Sequence, residues 1–217
     1  MRPIFVTGIG TEVGKTVVSA ILVEALGADY WKPVQAGGLQ ETDTDRVRGL
    51  LTNTLSRLHP EAIRLRTPAS PHAAARTEGR MIDLDMFELP PIAQERTLVI
   101  EGAGGVLVPL NESECMVDLI EKFGCETVVV SRNYLGSINH TLLTLEALQR
   151  RGIEILGLVF NGNENAETES AILTRVNLPF LGRVRWETIL TPRLIRRYAD
   201  ELAPKLVRHE GQRTVAT

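Results

Sequence analysis

The sequence predicts an α/β protein in three layers, a mostly parallel sheet covered by helices on both faces. Short apolar runs of four to six residues alternate along the chain with helical patterns of ten or more. A glycine-rich turn joins the first run directly to the first helix, the arrangement that holds phosphate groups. Turn signals such as Gly37-Gly38 and Asn161-Gly162 close the runs.

Taken in order, Ile4 to Thr7 reads as a buried strand. Lys15 to Leu26 reads as a helix, with Val17, Val18, Ile21, Leu22, Ala25 and Leu26 on an apolar face. Ala28 to Val34 is a second strand. Thr42 to Leu58 is a helix with acids in its first turn, where the helix dipole favours them. His59 to Arg80 is irregular, broken by Pro60, Pro68 and Pro71, and Thr67 to Gly79 reads as a surface loop beside the site. Asp83 to Ala93 is a short helical candidate, Thr97 to Glu101 a central strand and Val117 to Phe123 a helix. Glu126 to Val130 is a buried strand. Asn139 to Arg151 is a helix that turns Leu142, Leu143, Leu145 and Leu148 to the core. Strand Ile155 to Phe160, helix Ala166 to Val176, strand Phe180 to Val184 and helix Pro192 to Leu206 complete the pattern. The polar tail, Arg208 to Thr217, is expected to fray. With no internal repeat or linker, residues 1–217 read as one domain.

Composition narrows the function. A chain of 217 residues with 43% hydrophobic content can build a core without staples. A net charge of -3, with Arg and Lys scattered among Asp and Glu, offers no field for nucleic acid. Cys115 and Cys125 read as free thiols of a reducing compartment. The first ten residues do not form a signal peptide, and no stretch nears the roughly 20 apolar residues of a membrane span. A soluble, cytoplasmic protein is expected.

The strongest signal is Gly14-Lys15-Thr16 between a buried strand and an amphipathic helix. Backbone N–H groups at the helix start suit phosphate oxygens, Lys15 can reach the outer phosphates, and the Thr16 hydroxyl can join a magnesium shell. Ile9 stands where the strict motif has glycine, so Gly8 begins a loop one residue longer. A dinucleotide site would continue Gly8-Ile9-Gly10 with glycine at position 13, where Val13 stands. Magnesium wants hard oxygen ligands. Glu101 ends an apolar strand and meets Gly102-Ala103-Gly104-Gly105; a buried acid there calls for a positive partner. Asp43 and Asp45 both open the second helix, and the residues alone do not choose between them. Lys32, in the otherwise apolar Tyr30-Trp31-Lys32-Pro33-Val34, is either an edge residue reaching solvent or a second cation beside Lys15.

In order, Thr7 to Thr16, Trp31-Lys32-Pro33-Val34-Gln35, Ser70-Pro71-His72, Glu101 to Gly105 and Gly136-Ser137-Ile138-Asn139-His140 resemble the dethiobiotin synthetase family along nearly the whole chain. The resemblance implies seven strands, a homodimer and an ATP-dependent cyclo-ligase of biotin synthesis that needs magnesium. The implied substrates are 7,8-diaminopelargonate and CO2 or bicarbonate. A carbamate forms on one amine, takes the γ-phosphoryl group, and the second amine closes the ureido ring. The resemblance assigns magnesium to Thr16, Asp45 and Glu101, and phosphate and carbamate contacts to Lys15 and Lys32. It assigns ATP to Gly10, Thr11, Glu12, Val13, Gly14, Lys15, Thr16 and Val17, with Gly102, Ala103 and Gly104 beside them. Asn161, Gly162, Val184, Arg185 and Trp186 fall on the base side. Ala36 and, from the neighbouring subunit, Gly136, Ser137, Ile138 and Asn139 fall on the substrate. Ala36 stands where relatives commonly have a hydroxyl, Gly162 where an acid often follows the asparagine, and Arg185 where some have proline. A cobyrinate amidase would need a glutaminase domain, for which no room remains after residue 130. A partitioning ATPase would carry another lysine near the front of the loop, where Gly8-Ile9-Gly10 stands.

Overall fold

The computed structural model describes residues 2–93 and 95–213, the last seven by backbone alone. The strands are β1 (Ile4–Gly8), β2 (Asp29–Trp31), β3 (Val34–Ala36), β4 (Leu58–His59), β5 (Ile63–Leu65), β6 (Leu98–Gly105), β7 (Glu126–Arg132), β8 (Ile155–Asn161) and β9 (Phe180–Val184). The helices are α1 (Lys15–Leu26), α2 (Asp43–Leu50), α3 (Pro71–Thr77), α4 (Met116–Lys122), α5 (Ser137–Arg150), α6 (Ala166–Leu173) and α7 (Pro192–Arg213). Seven strands form one sheet in the order β4-β2-β6-β1-β7-β8-β9, and every pairing in it is parallel. β3 and β5 form a separate parallel pair. α1 packs on α2 and α7, while α5 packs on β7 and α6. Right-handed crossovers leaving the centre in opposite directions put these two helix groups on opposite faces.

The sheet centre is largely apolar: Phe5, Val6, Val99, Ile100, Val128, Val129, Leu158 and Val159 are fully buried. The chain leaves β1 towards β2 and leaves β6 towards β7, so the loops after these neighbouring strands part in opposite directions. A crevice opens at such a switch point, at the carboxyl ends of the strands. The phosphate loop and Glu101 both lie there.

Several expected elements change in extent. The strand expected over 28–34 is two strands in two sheets. Pro33 has no N–H for a ladder, and its carbonyl instead accepts from Ile63 N at 2.9 Å, starting the β3–β5 pair. The helix expected over 42–58 stops at Leu50, and Leu58–His59 is an edge strand. The N–H groups of Thr52 and Asn53 turn to the Glu24 carboxylate, at 3.0 and 3.2 Å, instead of continuing the helix. Asn53 Oδ1 then accepts from Leu55 N and Ser56 N, fixing a turn. The irregular stretch 59–80 contains β5 and α3, and the helix expected over 83–93 is a single 3₁₀ turn, Leu84–Met86. On α5, Leu145 and Leu148 are buried, but Leu143 is 54% exposed. Thr141 and Thr144 take inward positions with their hydroxyls on the carbonyls of Ser137 and His140. At about 100° per residue, position 143 falls opposite that face. α7 runs on through Arg213, so residues 208–213 continue a helix where a frayed tail was expected; the rest of that tail lies outside the described residues. No helix among the described residues is long and apolar enough to cross a membrane.

Glu24 ties three helices together. Its buried carboxylate accepts from Thr52 and Asn53 beyond α2 and from Arg196 of α7 at 3.3 Å. Burial pushes its pKa up, but these hydrogen bonds outweigh burial and leave it below the usual 4.5. A depressed folded-state pKa gives stability that is present above the unfolded value and is lost as pH falls through the folded one. Glu24→Gln should therefore lower stability by about 1–3 kcal/mol at pH 7. The gap between the urea midpoints of variant and parent should close as the pH falls below 4.5; a gap independent of pH would show that the charge contributes nothing.

Candidate active site at the phosphate loop

β1 ends at Gly8, and the chain turns through residues 9–14 into α1. Gly14 has φ +98°, and a Cβ there would lie 2.1 Å from Asn161 Nδ2, so only glycine fits. Glu12 has φ +58°, the single non-glycine residue with positive φ among those described. A non-glycine residue there costs about 1–2 kcal/mol, so neighbouring contacts must hold it. Lys15 folds back over the loop, its Nζ donating to Gly10 O at 2.8 Å. Burial pushes the Lys15 pKa down to about 8, with Glu101 opposing and Lys32 adding to the fall.

Behind the loop lies a buried charge cluster. Lys32 Nζ donates to Glu101 Oε1 at 2.9 Å and meets Asp43 Oδ2 at 2.6 Å. Thr16 Oγ1 donates to the same Glu101 oxygen at 2.9 Å, and Tyr30 OH donates to Oε2 at 2.8 Å. Lys32 and Glu101 are 4% and 1% exposed, so the solvent-reaching alternative for Lys32 is excluded. Burial alone would lower the Lys32 pKa; Glu101 and Asp43 outweigh it and raise it, keeping the ammonium charged. Burial likewise raises Asp43, and Lys32 outweighs it and holds the carboxyl below its usual range. Removing one partner of such a buried pair typically costs about 3–5 kcal/mol.

The acid that the structure brings to this cluster is Asp43, not Asp45. Asp45 closes the helix cap: its carboxylate accepts from Thr42 N at 3.0 Å and Thr42 Oγ1 at 2.9 Å, and pairs with Arg48 at the surface. Thr42 Oγ1 in turn accepts from Asp45 N, completing a capping box. The Thr42-x-x-Asp45 spacing carried that signal and would have left Asp43 for the site. Sequence reasoning also missed Tyr30, read only as a strand residue, and Gln35. The Gln35 side chain is buried, accepts from Asp43 N at 3.4 Å and donates to Gly37 O at 2.9 Å.

A cleft of about 780 Å³ opens above the cluster, lined by Thr11, Glu12, Gly14 to Val17, Lys32, Ala36, Asp43, Glu101, Ala103 and Gly104. Pro68 to Pro71 form its far wall, the part of the 67–79 segment that does border the site. The residues expected on the base side gather on the other flank of the loop. Asn161 pairs in register with Val184, Gly162 N donates to Val184 O at 2.7 Å, and Arg185 N donates to Tyr198 OH. Asn161 Nδ2 donates to Val13 O at 2.8 Å, and Trp186 is largely exposed. Gly136, Ser137, Ile138 and Asn139 stand apart from this cleft. Gly136, Ile138 and Asn139 line a separate hollow with Tyr134, Leu135 and Leu142. Gly136 caps α5 with φ +102°, so Asn139 lies inside the helix and does not cap it. Ser137 Oγ is buried without a hydrogen-bond partner.

Parallel sheet, switch-point loop and buried lysine cluster together define an ATP-binding P-loop enzyme. The sequence matches the AAA-domain family over residues 2–193. It is 51% identical to the ATP-dependent dethiobiotin synthetase BioD of Cytophaga hutchinsonii, covering 93% of this chain and 97% of the relative. It is 48% identical to the enzyme of the same name from Christiangramia forsetii, covering 93% and 96%. The chain belongs to the ATP-dependent dethiobiotin synthetase family of ligases. Among solved structures, the cell division ATPase MinD of Pyrococcus furiosus shares the fold with a TM-score of 0.57 at 13% identity, over 94% of this chain and 99% of that one.

The two acids make a direct test. Asp43→Asn should cut ATP-dependent turnover at least tenfold, about 1.4 kcal/mol in barrier. Asp45→Asn should cost less than about threefold. Steady-state rates of both folded variants decide between them, and the reverse order would remove Asp43 from the site.

Proposed function

We propose that the chain makes dethiobiotin from 7,8-diaminopelargonate, CO2 and ATP, with magnesium, as a homodimer. The observation that carries this reading is the buried Lys32 clamped between Glu101 and Asp43 at the open end of a phosphate loop. A nucleotide switch needs only the loop. A second cation held charged in a dry pocket suits transfer of a phosphoryl group to an anionic acceptor. Substrate-derived carbamate is such an acceptor, and Lys15 and Lys32 both line the cleft where it would be phosphorylated.

The donor set fits magnesium. Thr16 Oγ1 and the carboxylates of Asp43 and Glu101 are hard oxygen groups, few enough to leave places for phosphate oxygens and water. Magnesium would supply charge neutralisation on the transferring phosphoryl oxygens. The chain's own part is placement. Loop amides and the α1 N-terminus hold the phosphates, Lys15 follows the outer phosphate, and Lys32 faces the acceptor oxygen. Tyr30 and Thr16 hold the Glu101 carboxylate still through both its oxygens. The second amine of the substrate then expels phosphate as the ring closes, with no covalent bond to the enzyme.

The separation of the 136–139 segment from the phosphate cleft favours a shared site. The amides of Ile138 and Asn139 lie in the first turn of α5, where no carbonyl one turn back takes them, and suit a substrate carboxylate. An isologous pair would place each segment over its partner's cleft.

Chromatography of reaction mixtures should show dethiobiotin only when ATP, a CO2 source, magnesium and the diamine are all present. Formation of product without ATP, or phosphate release that ignores the diamine, would overturn the assignment. Lys32→Ala should lower kcat/KM by about 2 kcal/mol or more in transition-state stabilisation. For the shared site, Lys32→Ala and Asn139→Asp proteins, each expected to be strongly impaired, are dissociated and reassociated together. Hybrid dimers should regain activity at one intact site of the two; hybrids proven by mass spectrometry yet inactive would show that each chain serves only itself.

A further inference from the structure

Arg132 ends β7 in exact register with Asn161 at the end of β8. Residues paired across parallel strands point to the same face of the sheet. Here both side chains reach the phosphate loop and take successive carbonyls. Arg132 NH1 donates to Glu12 O at 3.2 Å, and Asn161 Nδ2 donates to Val13 O at 2.8 Å. Glu12 is the loop residue held at positive φ, so the carbonyl that Arg132 fixes belongs to the one non-glycine residue there that needs holding. The same guanidinium lies over the Trp186 ring, 5.5 Å from its centroid. One planar group therefore spans from the phosphate loop to the base-side loop after β9.

We propose that Arg132 is a positioning residue of the nucleotide site. It straps the Trp186 ring to the Glu12 turn, so that the phosphate loop and the wall on the base side are preformed together. This deepens the ATP-binding reading and rests on it. The guanidinium suits the task because its flat face can stack on the indole while its edge donates a hydrogen bond in the plane. A lysine ammonium can do only one of these at a time. The cost of ordering two separate loops is then met before the nucleotide arrives, which raises affinity without adding a contact to it.

The prediction falls on nucleotide binding, and the chain's two tryptophans make it readable. Trp31 is buried at 2% exposure, whereas Trp186 is exposed at 68%, so quenching by iodide reports Trp186. In the free protein, Arg132→Met should make Trp186 more accessible to iodide. The Kd for ATP, measured by titration calorimetry, should rise about fivefold or more. KM for ATP should rise with it while kcat falls by a smaller factor. Arg132→Lys should recover part of the affinity. Trp186→Ala should weaken ATP to a similar degree, and the double variant should be little worse than either single one, as expected of one shared interaction. Additive losses, unchanged quenching, or an Arg132→Met protein with parental ATP affinity would each overturn the strap. Calorimetry with ATP alone needs no turnover. A parent that binds ATP yet makes no dethiobiotin would therefore sink the proposed reaction and leave this inference standing on its own result.

Discussion

The active end of this protein depends on one buried ammonium. Lys32 sits between Glu101 and Asp43 with almost no access to water, and a buried ammonium is costly unless such partners meet it. The three groups come from three places in the chain: the end of β2, the middle of β6 and the first turn of α2. Their mutual attraction therefore fixes how the small β3–β5 pair and α2 seat against the central sheet. Pro33 matters for the same reason. Placed directly after Lys32, just past the end of β2 at Trp31, it lets the chain leave the sheet while the lysine stays inside.

The cluster also explains why chemistry rather than simple nucleotide binding is built here. Lys15 and Lys32 bring two positive charges and Asp43 and Glu101 two negative ones, all beneath one cleft. Burial pushes Lys15 towards neutrality, while the flanking acids hold Lys32 charged. Two lysines about the same loop are thus given different electrostatic settings by their neighbours. The fold alone says none of this. The MinD structure shares the architecture at 13% identity, and the difference in function has to be carried by side chains grafted onto it.

Much of the architecture was legible because it rests on period and punctuation. α1 begins and ends where its apolar pattern and flanking glycines place it, and β9 keeps both of its expected ends. The errors fall where a distant partner overrides local pattern. Nothing near Leu51 announces that a carboxylate on α1 will take the next two backbone amides and stop the helix. Nothing in Tyr30-Trp31-Lys32-Pro33-Val34 states that the run is divided between two sheets, although Pro33 hinted at it. At the site, Gly14, Lys15, Thr16, Lys32 and Glu101 stood out because each breaks an apolar or regular context. Asp43 did not, since it shares a helix start with Asp45 and only the capping geometry separates them. Tyr30 was invisible because a buried tyrosine needs a partner that sequence does not locate.

The loop itself shows how sequence departure and structural support go together. A phosphate loop one residue longer than the strict motif must place its extra residue somewhere, and here the backbone turns through Glu12 at φ +58°. Such a turn persists only when its surroundings over-determine it. Gly14 next to it leaves room for Asn161 to approach within bonding distance of Val13 O, and Arg132 takes the carbonyl before that. A loop that would be strained by itself is thus braced from two neighbouring strand ends, β7 and β8. The same two strands reach the base side through β9, whose Val184 pairs with Asn161. The phosphate loop and the loop after β9 are therefore tied through the same strand ends.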